Sequence, residues 1–388
     1  MREAGSDMNY DVIVIGSGSI GVPAAVALAE RKMKTLVLDC LASSGQGQNK
    51  AAIGGVRATH SDGAKIKTCL RSLDIFSQWK EKHGDDIGWR KGGYFFPAYQ
   101  DSDERLMRRT LATQKSFGLN IDWISADECA GLVPGISREN LRGGVYSPDD
   151  GSASTLLATT AFRRRAGQLG VEFRYGEAVS GIITEKGKVR GVSTSKGKYH
   201  APRVVNAAGI NAREICAMVR LDLPVTSDMH EAAITEPAAR MFEPMIVDIR
   251  AGDGSKNSYF YQNAEGQIVF CLTPEPPKWG ADRAATSEFL PAVARRMIRL
   301  LPRLASIKVR RCWRGMYPMT PDGFPIVDFA NPEGLILAAG MCGQGFMLGP
   351  GIGELVAKMA SGDLPAEDRE ILKGFSLSRS FRGMEQFK

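Results

Sequence analysis

A glycine-rich segment near the amino terminus has the spacing needed to bind a dinucleotide. Gly16, Gly18 and Gly21 fit the pattern G-x-G-x-x-G, and Asp39 follows the last of them by 18 residues. The three glycines would permit a tight turn, let backbone N–H groups approach a pyrophosphate and let a helix pack on a strand. Asp39 could accept hydrogen bonds from ribose hydroxyls. The segment predicts bound NAD or FAD without distinguishing them; the alternative is an ordinary turn beside a surface acid.

The elements around this segment are those that a dinucleotide site requires. Residues 10–15, with the sequence YDVIVI, form a short apolar run typical of a buried parallel strand. An alanine-rich stretch with Pro23 in its first turn predicts a helix. The sequence TLVLD at 35–39 predicts the next strand. Together they form a strand–helix–strand unit of about 30 residues.

The remaining sequence alternates between helical and extended patterns. Residues 63–83 carry apolar side chains at three- and four-residue steps, which predicts an amphipathic helix. Residues 171–209 contain short runs separated by glycine turns, which predicts an antiparallel meander. Further helices are predicted over 103–117, 153–169, 284–302 and 351–361, and further strands over 90–97, 229–235, 257–262, 267–273, 307–317 and 334–339.

This order of elements predicts a two-domain α/β (α+β) fold. Strand–helix patterns occur in both the first and the last part of the sequence. We therefore expect a nucleotide-binding domain assembled from discontinuous segments, with an antiparallel domain inserted between them. We assign residues 1–93, 140–220 and 320–388 to the first domain, and residues 94–139 and 221–319 to the second.

The composition disfavours several classes of protein. The 50 basic and 43 acidic residues give a net charge of +7, and the arginine clusters have few aromatic neighbours, which favours a small anionic ligand over nucleic acid. Seven widely spaced cysteines and four histidines argue against a disulfide framework or a metal site and indicate a cytoplasmic protein. No apolar run approaches the roughly 18 residues of a membrane span.

Four further segments identify a family. They are SSGQGQNKAAIGGVR at 43–57, VVNAAGINA at 204–212, WRGMYPMTPDGFP at 313–325 and AAGMCGQGFMLGPGIGE at 338–354. In this order, and with the first glycine segment, they resemble the D-amino-acid oxidase superfamily of flavoproteins over roughly residues 9–365. Within it, the chain is similar to glycine oxidases, sarcosine oxidases and sarcosine-oxidase β-like subunits. The resemblance implies a glutathione-reductase-like FAD domain and an antiparallel-sheet substrate domain.

The resemblance also implies which residues bind FAD. Some sarcosine oxidases attach FAD through a cysteine where this chain has Gly315, so we expect non-covalent FAD. A helix beginning after the late glycine segment could stabilise negative charge on the reduced flavin; the alternative is a turn needed only for packing. The implied FAD contacts are Gly16, Gly18, Ser19, Ile20, Gly21, Asp39, Ser43, Ser44, Gly54, Gly55, Val179, Ala208, Gly209, Gly315, Gly340, Gly343, Gln344, Gly345, Phe346 and Met347.

The substrate site departs from its relatives at two carboxylate anchors. Related enzymes carry an arginine where this chain has Tyr317, or a lysine where it has Met347. Tyr317 fits the sarcosine-oxidase pattern and Tyr259 matches a substrate-binding tyrosine of glycine oxidase. Arg57 and His60 are candidates for the replacement charge; the alternatives are a structural ion pair for the arginine and a structural role for the histidine.

Two other basic residues, Arg314 and Lys278, each have two possible roles. Strand alternation places Arg314 opposite Tyr317, which favours a structural ion pair over a substrate contact. Lys278 lies roughly where sarcosine oxidases carry the lysine that activates oxygen, and a solvated surface lysine is the alternative.

These features predict a flavin-dependent amine or amino-acid oxidase or dehydrogenase. Its substrate would be a small amine or amino acid, and its electrons would pass to oxygen or to a partner protein, within a homo- or hetero-oligomer. The alternatives are a tRNA wobble-uridine-modifying flavoenzyme, the flavin subunit of a larger electron-transfer complex and an NAD-dependent dehydrogenase, which would leave the late glycine segment without a role.

Overall fold

The computed structural model describes residues 9–382 and residue 385. In chain order, its strands are β1 (Val12–Ile15), β2 (Thr35–Leu38), β3 (Gly55–Val56), β4 (Tyr94–Ala98), β5 (Asp122–Ile124), β6 (Gly143–Ser147), β7 (Gly151–Ser152), β8 (Glu172–Arg174), β9 (Val179–Glu185), β10 (Lys188–Thr194), β11 (Gly197–His200), β12 (Val204–Asn206), β13 (Thr226–Pro237), β14 (Met245–Asp248), β15 (Ser255–Gln262), β16 (Gln267–Pro274), β17 (Val309–Met319), β18 (Ile326–Ala330) and β19 (Leu335–Ala339). The α-helices are α1 (Gly21–Glu30), α2 (Gly63–His83), α3 (Asp101–Ser116), α4 (Ala126–Leu132), α5 (Thr155–Gln168), α6 (Ala212–Ala217), α7 (Phe289–Leu300), α8 (Gly345–Ser361) and α9 (Ala366–Phe375).

A six-stranded sheet forms the centre of the nucleotide-binding half. Its strand order is β18-β19-β12-β1-β2-β8, and all neighbours are parallel except β18 and β19. Val12 and Val14 point into the core beneath α1 and α8, while Ile13 and Ile15 point into the core beneath the β9–β11 meander. Both faces of β1 are therefore buried, which explains its continuous run of apolar residues.

An eight-stranded sheet forms the second half, in the order β17-β13-β16-β15-β14-β4-β6-β5. One face, which includes Tyr94, Phe96 and Val247, packs against the core of the nucleotide-binding half. The alternate residues Phe95 and Ile246 point to the opposite face, which α7 covers. Only the first face can therefore meet a cofactor held by the six-stranded sheet.

The predicted fold class is confirmed: the chain folds as a mixed α/β protein with two principal sheets. One expected domain boundary differs from the sheet topology. We assigned β6 to the FAD domain, but it lies in the eight-stranded sheet between β4 and β5. The division into domains otherwise stays our proposal. No helix of the described chain is both long and apolar enough to cross a membrane.

Helix α8 begins at Gly345, six residues before the predicted start at 351. Its glycines and Pro350 have low helix propensity, which is why the pattern indicated a loop. The glycines are needed for packing: a Cβ atom at Gly349 would lie 2.0 Å from the Ser19 carbonyl oxygen, and one at Gly351 would lie 2.2 Å from that of Thr68. Close packing on α1 and α2 thus overrides propensity.

Candidate active site

Four predicted cofactor segments converge at one edge of the six-stranded sheet. Strands β1, β2, β12 and β19 are parallel, so their carboxyl ends lie at the same edge. Gly16, Asp39, Ala208 and Gly340 follow these ends directly or within two residues. Topology alone therefore brings together residues that are up to 324 positions apart.

The turn from β1 to α1 has the geometry that each glycine requires. Gly16 has φ of +101°, and a Cβ atom there would lie 2.5 Å from the Ala207 carbonyl oxygen. A Cβ at Gly21 would lie 1.9 Å from the Gly16 carbonyl oxygen, whereas one at Gly18 would meet no atom within 4 Å. Gly16 and Gly21 are thus needed for packing, and Gly18, between Ser17 and the Ser19-Ile20 pair, borders open space.

Asp39 and the segment after it hold this turn in place. The Asp39 carboxylate accepts hydrogen bonds from the Ser17 backbone N–H at 2.7 Å and hydroxyl at 2.6 Å. Five residues further, Ser44 forms a 2.8 Å hydrogen bond with the Tyr175 hydroxyl, while its neighbour Ser43 is exposed. The Asp39 carboxylate thus orders the glycine turn and remains at the edge where a ribose would bind.

The predicted FAD contacts in residues 48–55 lie between the two sheets. Gln48 accepts a 2.8 Å hydrogen bond from the Met316 backbone N–H, and the Tyr261 hydroxyl donates to the Ile53 carbonyl at 2.5 Å. Gly54 follows Ile53, and a Cβ at Gly55 would lie 2.0 Å from the Tyr94 hydroxyl oxygen. Gly209 directly follows Ala208 at the carboxyl edge of the six-stranded sheet and has open space at its Cβ position, whereas Val179 begins β9 in the meander.

The late glycine segment approaches the same turn. A Cβ atom at Gly345, the first residue of α8, would lie 3.2 Å from the Ser19 hydroxyl oxygen. Gln344 is buried, and its side-chain Oε1 has no hydrogen-bond partner among the described residues. A buried amide oxygen without a partner indicates a group that the polypeptide does not supply. The first turn of α8, with Phe346 and Met347, and the space at Gly18 therefore fit a bound FAD.

The two predicted substrate tyrosines are in direct contact. The hydroxyl oxygens of Tyr259 and Tyr317 lie 3.0 Å apart on the sheet face that meets the nucleotide-binding half. Burial raises the pKa of both phenols, and the nearby Cys271 thiol contributes in the same direction. Both side chains therefore stay protonated and can donate hydrogen bonds.

Sequence reasoning missed a buried histidine beside this pair. The His230 ring stacks on the Tyr317 ring with centroids 3.8 Å apart and an interplanar angle of 17°. Its Nε2 lies 3.0 Å from a carboxylate oxygen of Asp228. The predicted strand 229–235 contained His230 but began one residue after Asp228, so the pattern did not pair the two residues.

Arg57 and His60 belong to a different buried cluster. Arg57 donates to the Thr59 carbonyl oxygen and lies over the Phe96 ring. His60 Nε2 lies 3.4 Å from the Cys69 sulfur. Burial and the charge of Arg57 hold the pKa of His60 well below its ordinary value, so this imidazole is neutral.

A carboxylate from the end of the chain completes the cluster. Glu385 accepts hydrogen bonds from the Ser61 backbone N–H at 2.9 Å and hydroxyl at 2.6 Å. Its other oxygen lies 3.5 Å from Lys65 Nζ and 3.7 Å from His60 Nδ1. Burial alone would raise the pKa of Glu385, but the charge of Lys65 and the Ser61 hydrogen bonds hold it well below its usual range.

Arg314 and Lys278 lie on the far side of the eight-stranded sheet. Asp228 is the cross-strand partner of Tyr317, and Glu231 is that of Arg314, so alternation places the two β17 side chains on opposite faces. Arg314 and Lys278 line a cavity of about 280 Å³ beside α7, together with Glu231. Arg314 lies 3.5 Å from Asp282, and this geometry matches the ion-pair interpretation.

Metal and disulfide chemistry find no support in the described chain. All seven cysteines carry free thiols. No group of three or more His, Cys, Asp or Glu side chains among residues 9–382 and residue 385 could hold a metal ion.

Known proteins resemble this chain over nearly its whole length. The family described as FAD dependent oxidoreductase, DAO, matches residues 11–359. The bifunctional protein ThiO/ThiG of Nostoc sp. is 28% identical over 383 residues, covering 96% of this chain and 55% of that protein, so the chain spans about half its length. Glycine oxidase of Bacillus licheniformis is 27% identical over 91% of this chain and 94% of that protein. The solved structure of L-proline dehydrogenase from P. horikoshii has a TM-score of 0.87 at 28% identity, covering 96% of this chain and 100% of that one.

Proposed function

The chain belongs to the DAO family of FAD-dependent oxidoreductases, and from that premise we propose that it oxidises the C–N bond of a small amine, either an amino acid or an N-alkyl or imino acid. When bound, FAD supplies the acceptor for the hydride that leaves the carbon next to nitrogen. The resulting imine hydrolyses in water, and oxygen or an electron-accepting protein receives the electrons. Two similar proteins are named for glycine and L-proline, which supports this substrate class.

The pair of tyrosine hydroxyls carries the proposal. Tyr259 and Tyr317 lie on the sheet face that meets the cofactor half, and a Cβ at Gly343 would lie 2.2 Å from the Tyr317 ring. The ring therefore lies against the late glycine segment. Two neutral phenols can donate to a substrate carboxylate and orient the C–H bond without a strong base, because the neutral amine is the reactive form.

We propose that FAD is bound non-covalently at the carboxyl edge of the six-stranded sheet. The glycine turn, Asp39 and the first turn of α8 would hold it, and the positive end of the α8 dipole would favour the reduced, anionic flavin. Gly315 offers no thiol. The neighbouring Cys312 packs against the core beneath α7, on the opposite face of the sheet, which supports dissociable FAD.

An anaerobic titration tests the proposed function. Purified holoenzyme is mixed with glycine, sarcosine, L-proline, D-proline and larger amines, and the visible flavin absorbance is followed. We expect at least one amino or imino acid to bleach the flavin, and product analysis should then detect the corresponding oxo acid or aldehyde. If dithionite bleaches the flavin and no amine does, the proposal fails.

The two alternative functions predict different results with the same purified protein. A tRNA-modifying enzyme would shift tRNA in a gel and would be reduced only by the modified nucleoside or its RNA. In a flavin subunit of a larger complex, an amine would bleach the flavin only after the partner protein is added. Testing amines, tRNA and cell extract in parallel therefore separates the three functions.

A further inference from the structure

A buried acid–imidazole pair lies behind Tyr317. Asp228 and His230 are each 4% exposed, and a carboxylate oxygen of the first lies 3.0 Å from Nε2 of the second. In the β13–β17 register, Asp228 is opposite Tyr317 and His230 is opposite Gly315. The imidazole nevertheless stacks on the Tyr317 ring, with centroids 3.8 Å apart.

The late glycine segment also contacts the Tyr317 ring. A Cβ atom at Gly343 would lie 2.2 Å and 2.3 Å from two carbon atoms of the Tyr317 ring. Gly343 also has φ of +80°, where other residues are strained. The ring thus contacts both the imidazole and the late glycine segment, and its hydroxyl oxygen lies 3.0 Å from that of Tyr259.

Asp228 is itself fixed from a second direction. Its other carboxylate oxygen accepts a 2.8 Å hydrogen bond from the Lys278 backbone N–H. The Lys278 carbonyl accepts from the Met229 backbone N–H at 2.8 Å, and the Gly280 N–H donates to the Ser227 carbonyl at 3.0 Å. Residues 278–280 are therefore bound to the edge of β13, and they hold the carboxylate that orients the imidazole.

We propose that His230, oriented by Asp228, is a positioning residue that fixes the Tyr317 hydroxyl for substrate binding. The inference rests on the proposed function, in which Tyr317 contacts the substrate. His230 acts through Tyr317 and needs no contact with substrate or cofactor. Its effect on substrate binding should therefore vanish when the Tyr317 hydroxyl is absent.

A double-mutant experiment tests this dependence. In the holoenzyme, His230→Ala should raise the substrate concentration for half-maximal flavin reduction about tenfold, while the limiting rate changes by less than about threefold. His230→Phe, which keeps a flat ring but loses the hydrogen bond to Asp228, should restore only part of the affinity. In a Tyr317→Phe background, His230→Ala should cause little further loss. Equal losses from His230→Ala with and without the tyrosine hydroxyl would overturn the proposal.

A second readout needs no substrate. The near-ultraviolet circular dichroism difference between wild type and Tyr317→Phe reports the fixed Tyr317 ring. His230→Ala should lose this signal and His230→Phe should keep part of it, while His200→Ala, in the other half of the protein, should not change it. If no amine bleaches wild-type flavin, the proposed function fails and this measurement still decides the role of His230.

Asp228→Asn covers the case in which His230→Ala does not fold. An asparagine can keep the hydrogen bond from the Lys278 N–H but holds the imidazole through a neutral group. We expect a weaker Tyr317 signal than in wild type and an intermediate rise in half-saturation. A wild-type signal and an unchanged titration in Asp228→Asn would show that the pair does not position Tyr317.

Discussion

The hydroxyl oxygens of Tyr259 and Tyr317 lie 3.0 Å apart although their strands are not neighbours. Strands β16 and β13 run between β15 and β17, and on this face they contribute Cys271 and Ala232, which pair with each other across the sheet. Both are small, so the two tyrosine rings can extend over them and meet. The pair is therefore a product of sheet register.

Removing either hydroxyl should weaken substrate binding and leave FAD bound. Tyr259→Phe and Tyr317→Phe each lose a hydrogen bond to a charged group, which costs about 1.5–3 kcal/mol, or roughly 10- to 150-fold in the half-saturation of anaerobic flavin reduction. Tyr10→Phe, whose hydroxyl bonds to Glu172 away from the site, is the control. Unchanged titrations in both variants would exclude the tyrosine pair as the substrate site.

The nucleotide-binding half was predictable because its signals are local. The β1–turn–α1–β2 unit carries its glycines, its helix and Asp39 within about 30 residues, and parallel pairing then brings the strand ends together. Tyr259 and Tyr317 were found through family resemblance. Their contact could not be derived from the sequence, because it depends on four strands and on two small side chains between them.

The missed features depend on tertiary structure. His230 gains its significance from stacking on Tyr317 of the neighbouring strand β17, a contact that no local pattern reveals. Glu385 meets Lys65 from 320 positions along the chain. The start of α8 was wrong by six residues because helix propensity counted its glycines as breakers, while packing on Ser19 and Thr68 requires them.

Gly18 should be essential for FAD retention. Its Cβ position lies in open space, so Gly18→Val would not clash with protein and would place a branched side chain where the pyrophosphate is expected. Gly131, in α4, also borders open space and serves as the matched control for the same substitution. We expect Gly18→Val to purify folded and colourless and Gly131→Val to keep stoichiometric FAD. A yellow Gly18→Val protein would contradict the assignment of the turn.

Denaturation should release intact FAD from the wild type. Gly315 stands where a covalent link would need a thiol, and Cys312 lies on the other face of the sheet. After acid precipitation, the flavin should appear in the supernatant and run as FAD in chromatography. Colour retained by the precipitated protein would show a covalent bond elsewhere in the chain.

We expect Arg57 to stabilise the fold and to contribute little to substrate affinity. Its guanidinium donates to the Thr59 carbonyl and lies 5.9 Å from the centre of the Phe96 ring, in a buried environment. Arg57→Ala should lower the free energy of unfolding by about 1–3 kcal/mol because it leaves a buried acceptor unsatisfied, and flavin-reduction titrations should stay within about twofold of wild type. A large loss of affinity with unchanged melting temperature would instead make Arg57 the carboxylate anchor.

The ion pair of Glu385 should make stability depend on pH in a defined direction. Its pKa in the folded protein is depressed, so it contributes stability above the pKa of an unfolded glutamate, about 4.3, and this contribution is lost as the pH falls through the folded value. Glu385→Gln removes the charge that faces buried Lys65, so it should lower the melting temperature at neutral pH. The difference from wild type should narrow as the pH falls below about 4. Glu333→Gln, which removes an exposed partner of Lys188, should have little effect at any pH. A Glu385→Gln protein that melts with the wild type at neutral pH would show that this carboxylate does not stabilise the fold.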